Sequence, residues 1–169
     1  MADDAVRIDN TAAWLRKAEQ DLRRIDRCME DDPPDREDAL FHCQQAVEKA
    51  LKACLTWHDV PFRKTHDLAA LGAQCSEADA ALGPALAQVD ELTPYAWSYR
   101  YPTELIEPPE ADALEAQALA IRIVEAVTAR LPAEVQGPSR GPANKPANTC
   151  HKNQRETPSN EGHQDESSR

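Results

Sequence analysis

The segment at residues 38–53, DALFHCQQAVEKALKA, combines an apolar stripe with a polar face (Gln44, Gln45, Glu48, Lys49 and Lys52). Glu48 and Lys52 are four residues apart, in the order that favours an ion pair on a helix surface, which contributes about 0.2–0.5 kcal/mol. The alternative interpretation is a ligand site on this face. His42 falls about 140° from the centre of the stripe at roughly 100° per residue, so we predict that it is exposed.

A second candidate is the segment Lys64-Thr65-His66-Asp67-Leu68. Thr65 is predicted to cap a helix, and Asp67 in the first turn is favoured by the helix dipole. His66 has no such structural reason, because a positive imidazolium at that end would oppose the dipole. We therefore interpret His66 as a neutral, hydrogen-bonded ring and as a candidate functional group.

A third candidate is residues 95–102, YAWSYRYP. Tyr95 and Tyr99 share one face of a helix, and Trp97 lies on another. Arg100 near a helix C-terminus is stabilised by the dipole, which is a sufficient structural reason for its presence. Aromatic rings beside an arginine could equally bind a base and a phosphate.

Helices are predicted to position all of these groups. Aromatic residues make up only 5% of the chain, and apolar residues recur at helical spacing between proline-bearing stretches. The apolar arc of the second helix is too wide for one neighbour, so this helix is expected at the centre of an all-α fold. The fourth is expected to kink near Pro94. The predicted helices span about residues 11–29, 36–58, 66–77, 80–101 and 109–131.

The sequence changes character after residue 132. Residues 133–169 are rich in Pro, Asn, Ser and Gly and nearly lack large apolar side chains. Such a segment cannot bury enough surface to offset its ordering entropy, so we predict a disordered tail. The folded domain is predicted to occupy residues 1–132. Cys150-His151 in the tail is a weak metal motif, and we interpret it as solvated sequence.

The charge and the cysteines restrict the class of protein. A net charge of −11 disfavours non-specific binding to a polyanion, although a local basic groove remains compatible with it. Neither a secretory signal nor an apolar run of membrane-spanning length is present, which predicts a cytoplasmic protein without membrane contact. The cysteines form no CxxC pair, which favours buried reduced thiols over a zinc site (Cys28, Cys43, Cys54, Cys75 and Cys150).

Four motifs in this order resemble the HEPN family, whose name abbreviates higher eukaryotes and prokaryotes nucleotide-binding domain. They cover residues 11–132 (Trp14…Ala18…Asp21-Leu22, Phe41-His42-Cys43-Gln44-Gln45-Ala46-Val47-Glu48-Lys49-Ala50-Leu51-Lys52-Ala53, Thr65-His66-Asp67-Leu68 and Tyr99-Arg100-Tyr101-Pro102). The resemblance implies a five-helix antiparallel bundle that commonly forms homodimers. It also implies an intracellular role beside a minimal nucleotidyltransferase, often in toxin–antitoxin or defence modules.

The sequence departs from the catalytic branch of that family. HEPN ribonucleases carry an arginine followed, after four to six residues, by a histidine near the end of the fourth helix. Arg100 matches the arginine, but Leu105, Ile106 and Glu107 occupy the positions expected for the histidine. Neither aliphatic side chain can transfer a proton, and a carboxylate near a scissile phosphate is electrostatically unfavourable. No catalytic residue is therefore assigned, with Arg100 the only candidate.

These observations predict a non-catalytic or divergent HEPN domain that binds a nucleotide, a nucleotidyltransferase partner, or both. The residues expected to contact phosphate or ribose are Lys49, Lys52, His66 and Arg100, and Glu48 is expected to hold a lysine in place. No metal or cofactor is implied. One alternative is a divergent endoribonuclease toxin that acts on RNA through Arg100. Another is a structural dimerisation module, since surplus apolar area is often covered by a partner.

Overall fold

The structure is a computed structural model that describes residues 4–62, 65–96 and 107–136, and these residues form helices and turns without a strand. The prediction of an all-helical fold is confirmed for them, whereas the antiparallel arrangement stays a prediction. Five α-helices are present in these ranges: α1 (Asp4–Glu30), α2 (Arg36–Trp57), α3 (Leu68–Ala78), α4 (Gly83–Leu86) and α5 (Glu110–Arg130). Two 3₁₀ helices, Ala80–Leu82 and Val89–Ala96, flank α4.

The central element is α2, as its wide apolar arc predicted. Fourteen of its 22 residues are buried. It packs against α1, α3, α5 and the second 3₁₀ helix, and the largest number of its neighbours belongs to α1. The core of the described residues is therefore arranged around one helix, and α2 carries most of the candidate site.

The ends of α2 lie close to the predicted positions. Asp35 caps the N-terminus by accepting a hydrogen bond from the backbone N–H of Asp38 at 3.0 Å. At the other end, His58 lies one residue beyond the helix, where its backbone N–H donates to the carbonyl oxygen of Cys54 at 3.1 Å. This capping position leaves His58 exposed.

The start of α3 differs from the prediction by two residues. Asp67 is the N-cap and accepts a hydrogen bond from the backbone N–H of Ala70 at 3.1 Å. The Thr65 hydroxyl instead accepts from the backbone N–H of Asp67 at 3.0 Å, which stabilises the turn before the helix. His66 consequently lies in a connecting segment and not in the first turn of α3.

The fourth predicted helix is not continuous where the structure describes it. Residues 80–96 form two 3₁₀ helices and the four-residue α4, with Pro84 in its first turn and Pro94 inside the second 3₁₀ helix. Because proline has no N–H to donate, Pro94 interrupts a regular α-helical hydrogen-bond pattern, whereas Pro84 is tolerated in the first turn of a helix. Residues 97–101, the rest of that predicted helix, lie outside the described residues.

The chain beyond α5 continues to pack against the core for a few residues. A turn follows Leu131, and Val135 within it is buried in the same apolar cluster as α2 and α5. The rest of the predicted tail, residues 137–169, lies outside the described residues. The domain boundary after residue 132 stays a prediction.

The cysteines of the described residues are free thiols, and three of the four are buried (Cys43, Cys54 and Cys75). Burial raises the pKa of Cys43 to about 12, so this side chain is a neutral thiol at physiological pH. Cys150 lies outside the described residues. None of the helices described here combines the length and the apolar character needed to cross a bilayer.

Candidate functional site: two buried carboxylate networks on α2

The polar face of α2 is covered by other parts of the chain. Gln44, Glu48 and Lys52 have relative exposures of 0%, 4% and 8%. The interpretation of Glu48 and Lys52 as a surface ion pair is therefore wrong. The periodicity of one helix identifies its apolar stripe, but it does not reveal which other elements cover the opposite side.

Glu48 is the centre of the first network, which we call the Glu48 network. One of its carboxylate oxygens, Oε1, accepts a hydrogen bond from Nζ of Lys52 at 2.7 Å. The other, Oε2, accepts from Nε2 of Gln44 and from Nδ1 of His66, each at 2.9 Å. The Glu48 network thus joins two turns of α2 to the segment that precedes α3.

Lys52 is held between its carboxylate partner and two aromatic rings. Its Nζ lies 5.4 Å from the ring centroid of Trp14 on α1 and 5.9 Å from that of Phe62. The two rings contact each other edge-on, with centroids 6.3 Å apart. A desolvated ammonium gains both ion-pair and cation–π stabilisation in such a position. Lys52 is therefore already neutralised within the chain.

His66 is the member of the Glu48 network that reaches solvent, because its side chain is 68% exposed. A carboxylate has only acceptor oxygens, so the hydrogen bond between His66 and Glu48 requires the proton on Nδ1 of the ring. The remaining nitrogen, Nε2, makes no hydrogen bond to any described residue. In the neutral ring this nitrogen is an acceptor, and in the protonated ring it is a second donor.

Asp21 of α1 is the centre of the second network, which we call the Asp21 network. Its carboxylate is 1% exposed and accepts hydrogen bonds from Nδ1 of His42 at 2.9 Å, from Nη1 of Arg24 at 3.1 Å and from Nζ of Lys49. The prediction that His42 is exposed is wrong, because α1 packs against this side of α2.

Both central carboxylates are stabilised in their ionised form. Burial raises the pKa of Asp21, but hydrogen bonds from His42 and Lys49 outweigh burial, so the net effect is a pKa below the ordinary value of 3.8. Burial likewise raises the pKa of Glu48, and hydrogen bonds from its three partners lower it below 4.5. Each carboxylate is thus an anion at neutral pH and is surrounded by donors.

Metal binding has no support among the described residues, where no group of three His, Cys, Asp or Glu side chains is placed to hold an ion. The two anions are occupied by nitrogen donors, which leaves no set of free oxygen or nitrogen ligands around either of them.

The structure brings some of the predicted site residues together and separates others. Glu48, Lys52 and His66 meet in one network, whereas Lys49 belongs to the Asp21 network on the neighbouring side of α2. Arg100 lies outside the described residues. Glu107 is described, and its carboxylate accepts a hydrogen bond from Arg36 at 2.9 Å, so it is already paired.

Sequence reasoning did not assign a role to Asp21 or to His42. A signal for Asp21 was present, because this acidic residue lies among the apolar residues of α1, beside Leu22 and one turn from Ala18 and Ile25. A carboxylate within an apolar stripe is rarely buried unless it is paired. Its partners could not be named from the sequence, because they are on another helix.

The family model described as HEPN domain matches residues 11–131, a range that contains both networks. Neither the curated proteins nor the solved structures contained a match. Because the family match spans well over half of the 169 residues, from α1 to the end of α5, this chain belongs to the HEPN domain family.

Proposed function

We propose that this protein is a nucleotide-binding HEPN domain in which the exposed imidazole of His66 contacts a phosphate or ribose of the ligand. Family membership further supports a cytoplasmic homodimer that acts beside a minimal nucleotidyltransferase in a toxin–antitoxin or defence-type module. The observation that carries the proposal is the hydrogen bond between exposed His66 and buried Glu48.

The Glu48 network is poorly explained by stability alone. Replacing a buried ion pair by apolar residues of similar volume is often neutral or stabilising, because both ions lose their hydration. What the network does achieve is to fix the orientation and the tautomer of an imidazole that solvent can reach. A fixed polar group on an otherwise buried support is an arrangement typical of a binding site.

The lysines act differently from the sequence-based expectation. Lys49 and Lys52 are each paired with a buried carboxylate, so a phosphate would have to compete with an existing ion pair for either ammonium. We therefore assign them a positioning role through Asp21 and Glu48. Direct contact with the ligand is proposed for His66 and Arg100.

Calorimetric titration with ATP tests this proposal. We expect wild-type protein to bind, His66→Gln to weaken binding at least about tenfold, and Arg100→Ala to weaken it as well. His58→Gln is the matched control, because His58 is also exposed but lies at the end of α2 outside both networks. Absence of heat from the wild-type protein at millimolar ATP would overturn nucleotide binding, and so would equal affinities of the two histidine variants.

A divergent endoribonuclease remains the second candidate, and one observation favours it. The Glu48–His66 pair is a carboxylate–imidazole pair, an arrangement that can transfer protons during RNA cleavage. Expression of wild-type protein should then arrest growth, and Arg100→Ala or His66→Gln should abolish the arrest. Harmless expression would contradict this candidate. The dimerisation alternative loses its argument, because the apolar arc of α2 is buried within the chain.

A further inference from the structure

A cavity of about 400 Å³ lies between the first turns of α1 and the loop that follows α2. Its lining belongs to neither carboxylate network. It combines one cation, one anion, two neutral polar side chains and two apolar residues (Arg7, Asn10, Thr56, Asp59, Val60 and Pro61). Ligand sites typically join apolar surface to a few polar groups that fix orientation, so this mixture predicts a small ligand that carries charge of both signs.

Arg7, on the α1 side of this cavity, has an incompletely paired guanidinium. Its Cζ lies 5.0 Å from the ring centroid of Trp57. Nη2 donates to the carboxylate of Asp4 at 2.8 Å, whereas Nε is buried and has no acceptor among the described residues. Because the Asp4 side chain is 79% exposed, this ion pair is weak and a ligand carboxylate can replace it. Arginine suits a carboxylate well, since its planar fork donates two parallel hydrogen bonds.

Asp59, on the loop side of the cavity, occupies a position that usually belongs to glycine. It follows the C-cap of α2 with a φ of 56°, and its backbone N–H donates to the carbonyl oxygen of Thr56 at 3.2 Å. The backbone N–H of Val60 donates to that of Leu55 at 2.9 Å, which completes a Schellman ending. The left-handed conformation strains a side chain, and the helix dipole disfavours an anion there. The Asp59 carboxylate has no hydrogen bond or ion pair with another described residue, so stability does not account for it.

We infer that this cavity binds a small zwitterion, a free α-amino acid with an apolar side chain. Arg7 binds its carboxylate. Asp59 binds its ammonium group, which the negative end of the α2 dipole also favours. Val60 and Pro61 supply apolar surface for the side chain of the ligand. Because Asp59 would repel a phosphate, this cavity is a second site with a different ligand from the proposed nucleotide site at His66.

The test is saturation-transfer NMR of the full chain with L-leucine, at up to about 10 mM so that a millimolar dissociation constant is measurable. We expect leucine to bind. Isocaproate carries the carboxylate of leucine without its ammonium group, and isoamylamine carries the ammonium group without the carboxylate. Each should bind at least about tenfold more weakly, because it leaves one charge of the cavity unpaired. Absence of leucine binding would overturn the inference, and so would equal binding of the acid or the amine.

Charge-neutralising variants assign the two contacts. Arg7→Gln and Asp59→Asn should each weaken leucine binding at least about tenfold, since each removes one charged hydrogen-bond partner. The matched controls are Arg16→Gln and Asp9→Asn, which change the net charge by the same amounts at exposed positions of α1 outside the cavity lining. They should bind leucine as wild type does, and circular dichroism should show the same helix content for all four variants. Equal weakening by a variant and its control would overturn the assigned contact.

Asp59→Gly separates a ligand contact from a structural role. Glycine relieves the strain of the left-handed conformation, so we expect Tm to rise by about 3 °C while leucine binding is lost. A fall in Tm would show that Asp59 stabilises the loop itself and would overturn its role in binding. The two sites are tested independently, because Asp59→Gly should leave ATP binding unchanged and His66→Gln should leave leucine binding unchanged. Leucine binding that depends on His66 and not on Asp59 would overturn the second site.

Discussion

The Asp21 network and the Glu48 network use the same chemistry on adjacent sides of α2, yet they differ in what reaches solvent. In each, a buried carboxylate accepts hydrogen bonds from a lysine and a histidine. His42 belongs to α2 and is enclosed by α1, whereas His66 belongs to the connecting segment before α3 and is exposed. The element that carries the histidine therefore decides whether the imidazole of each network is buried or exposed to solvent.

That difference implies a division of roles. The Asp21 network links α1 to α2, the pair of helices with the most extensive contact in the described residues, and it presents little surface to a ligand. The Glu48 network fixes an accessible imidazole and has fewer charged partners. We therefore expect substitutions in the Asp21 network to affect mainly stability, and substitutions at the open end of the Glu48 network to affect mainly binding.

The largest effect is expected for Asp21→Asn. This change leaves Lys49 and His42 facing a neutral amide in a buried position, and loss of one partner of a buried ion pair costs about 3–5 kcal/mol in the free energy of unfolding. Urea denaturation monitored by circular dichroism measures the loss. Asp9→Asn, an exposed change on the same helix, should alter stability by less than about 0.5 kcal/mol. A loss below about 1 kcal/mol for Asp21→Asn would show that the network is not a structural link.

A smaller loss is expected for Glu48→Gln, about 2 kcal/mol, in the range for an unsatisfied buried donor. Lys52 would keep its contacts with Trp14 and Phe62, and His66 would remain hydrated, so fewer groups are left without a partner. The same urea experiment compares the two variants. If Glu48→Gln proves as destabilising as Asp21→Asn, the proposed difference between the networks is wrong.

Acidification should weaken both networks together. The folded-state pKa values of Asp21 and Glu48 lie below their ordinary values of 3.8 and 4.5, so their stabilising contribution is complete above those values. It is lost as the pH falls through the lower folded-state pKa values. Urea midpoints between pH 6 and pH 3 should therefore decline for wild type, and less steeply for Asp21→Asn/Glu48→Gln. An equally steep decline in the double variant would place the acid sensitivity elsewhere.

The smallest effects on stability are expected from the two histidines, and their order tests the comparison most directly. His42→Gln should cost about 1 kcal/mol, because a buried hydrogen bond to Asp21 is lost or lengthened. His66→Gln should cost less than about 0.5 kcal/mol, because the side chain is exposed. Thermal melts of the two variants give this order. The reverse order would mean that His66 is held for stability and not for a ligand.

Much of the fold was predictable because helix-forming patterns are local. The bounds of α2 and α5 agree with the predicted ranges to within a residue, since Asp35 and Pro109 provide clear start signals and Pro132 a stop. Residues 80–96 were less predictable, because Pro84 and Pro94 compete with an otherwise helical pattern. The start of α3 was also misplaced, since Thr65 and Asp67 are both good capping residues and only their backbone geometry decides between them.

Three members of the Glu48 network were predictable from the sequence, but the arrangement of the two networks was not. Spacing on one helix brought Glu48 and Lys52 together, and the motif resemblance added His66. Neither could show that His42 is enclosed or that Lys49 pairs with Asp21. Both depend on contacts between helices.

The sequence by itself determined an all-helical chain, the central position of α2 and the residues from which a polar site could be built. Only the tertiary structure decided which polar groups are buried and which of them are paired. The physical reason is that helix formation depends on residues within a few positions of each other, whereas the ionisation and the availability of a side chain depend on neighbours that are distant in the sequence.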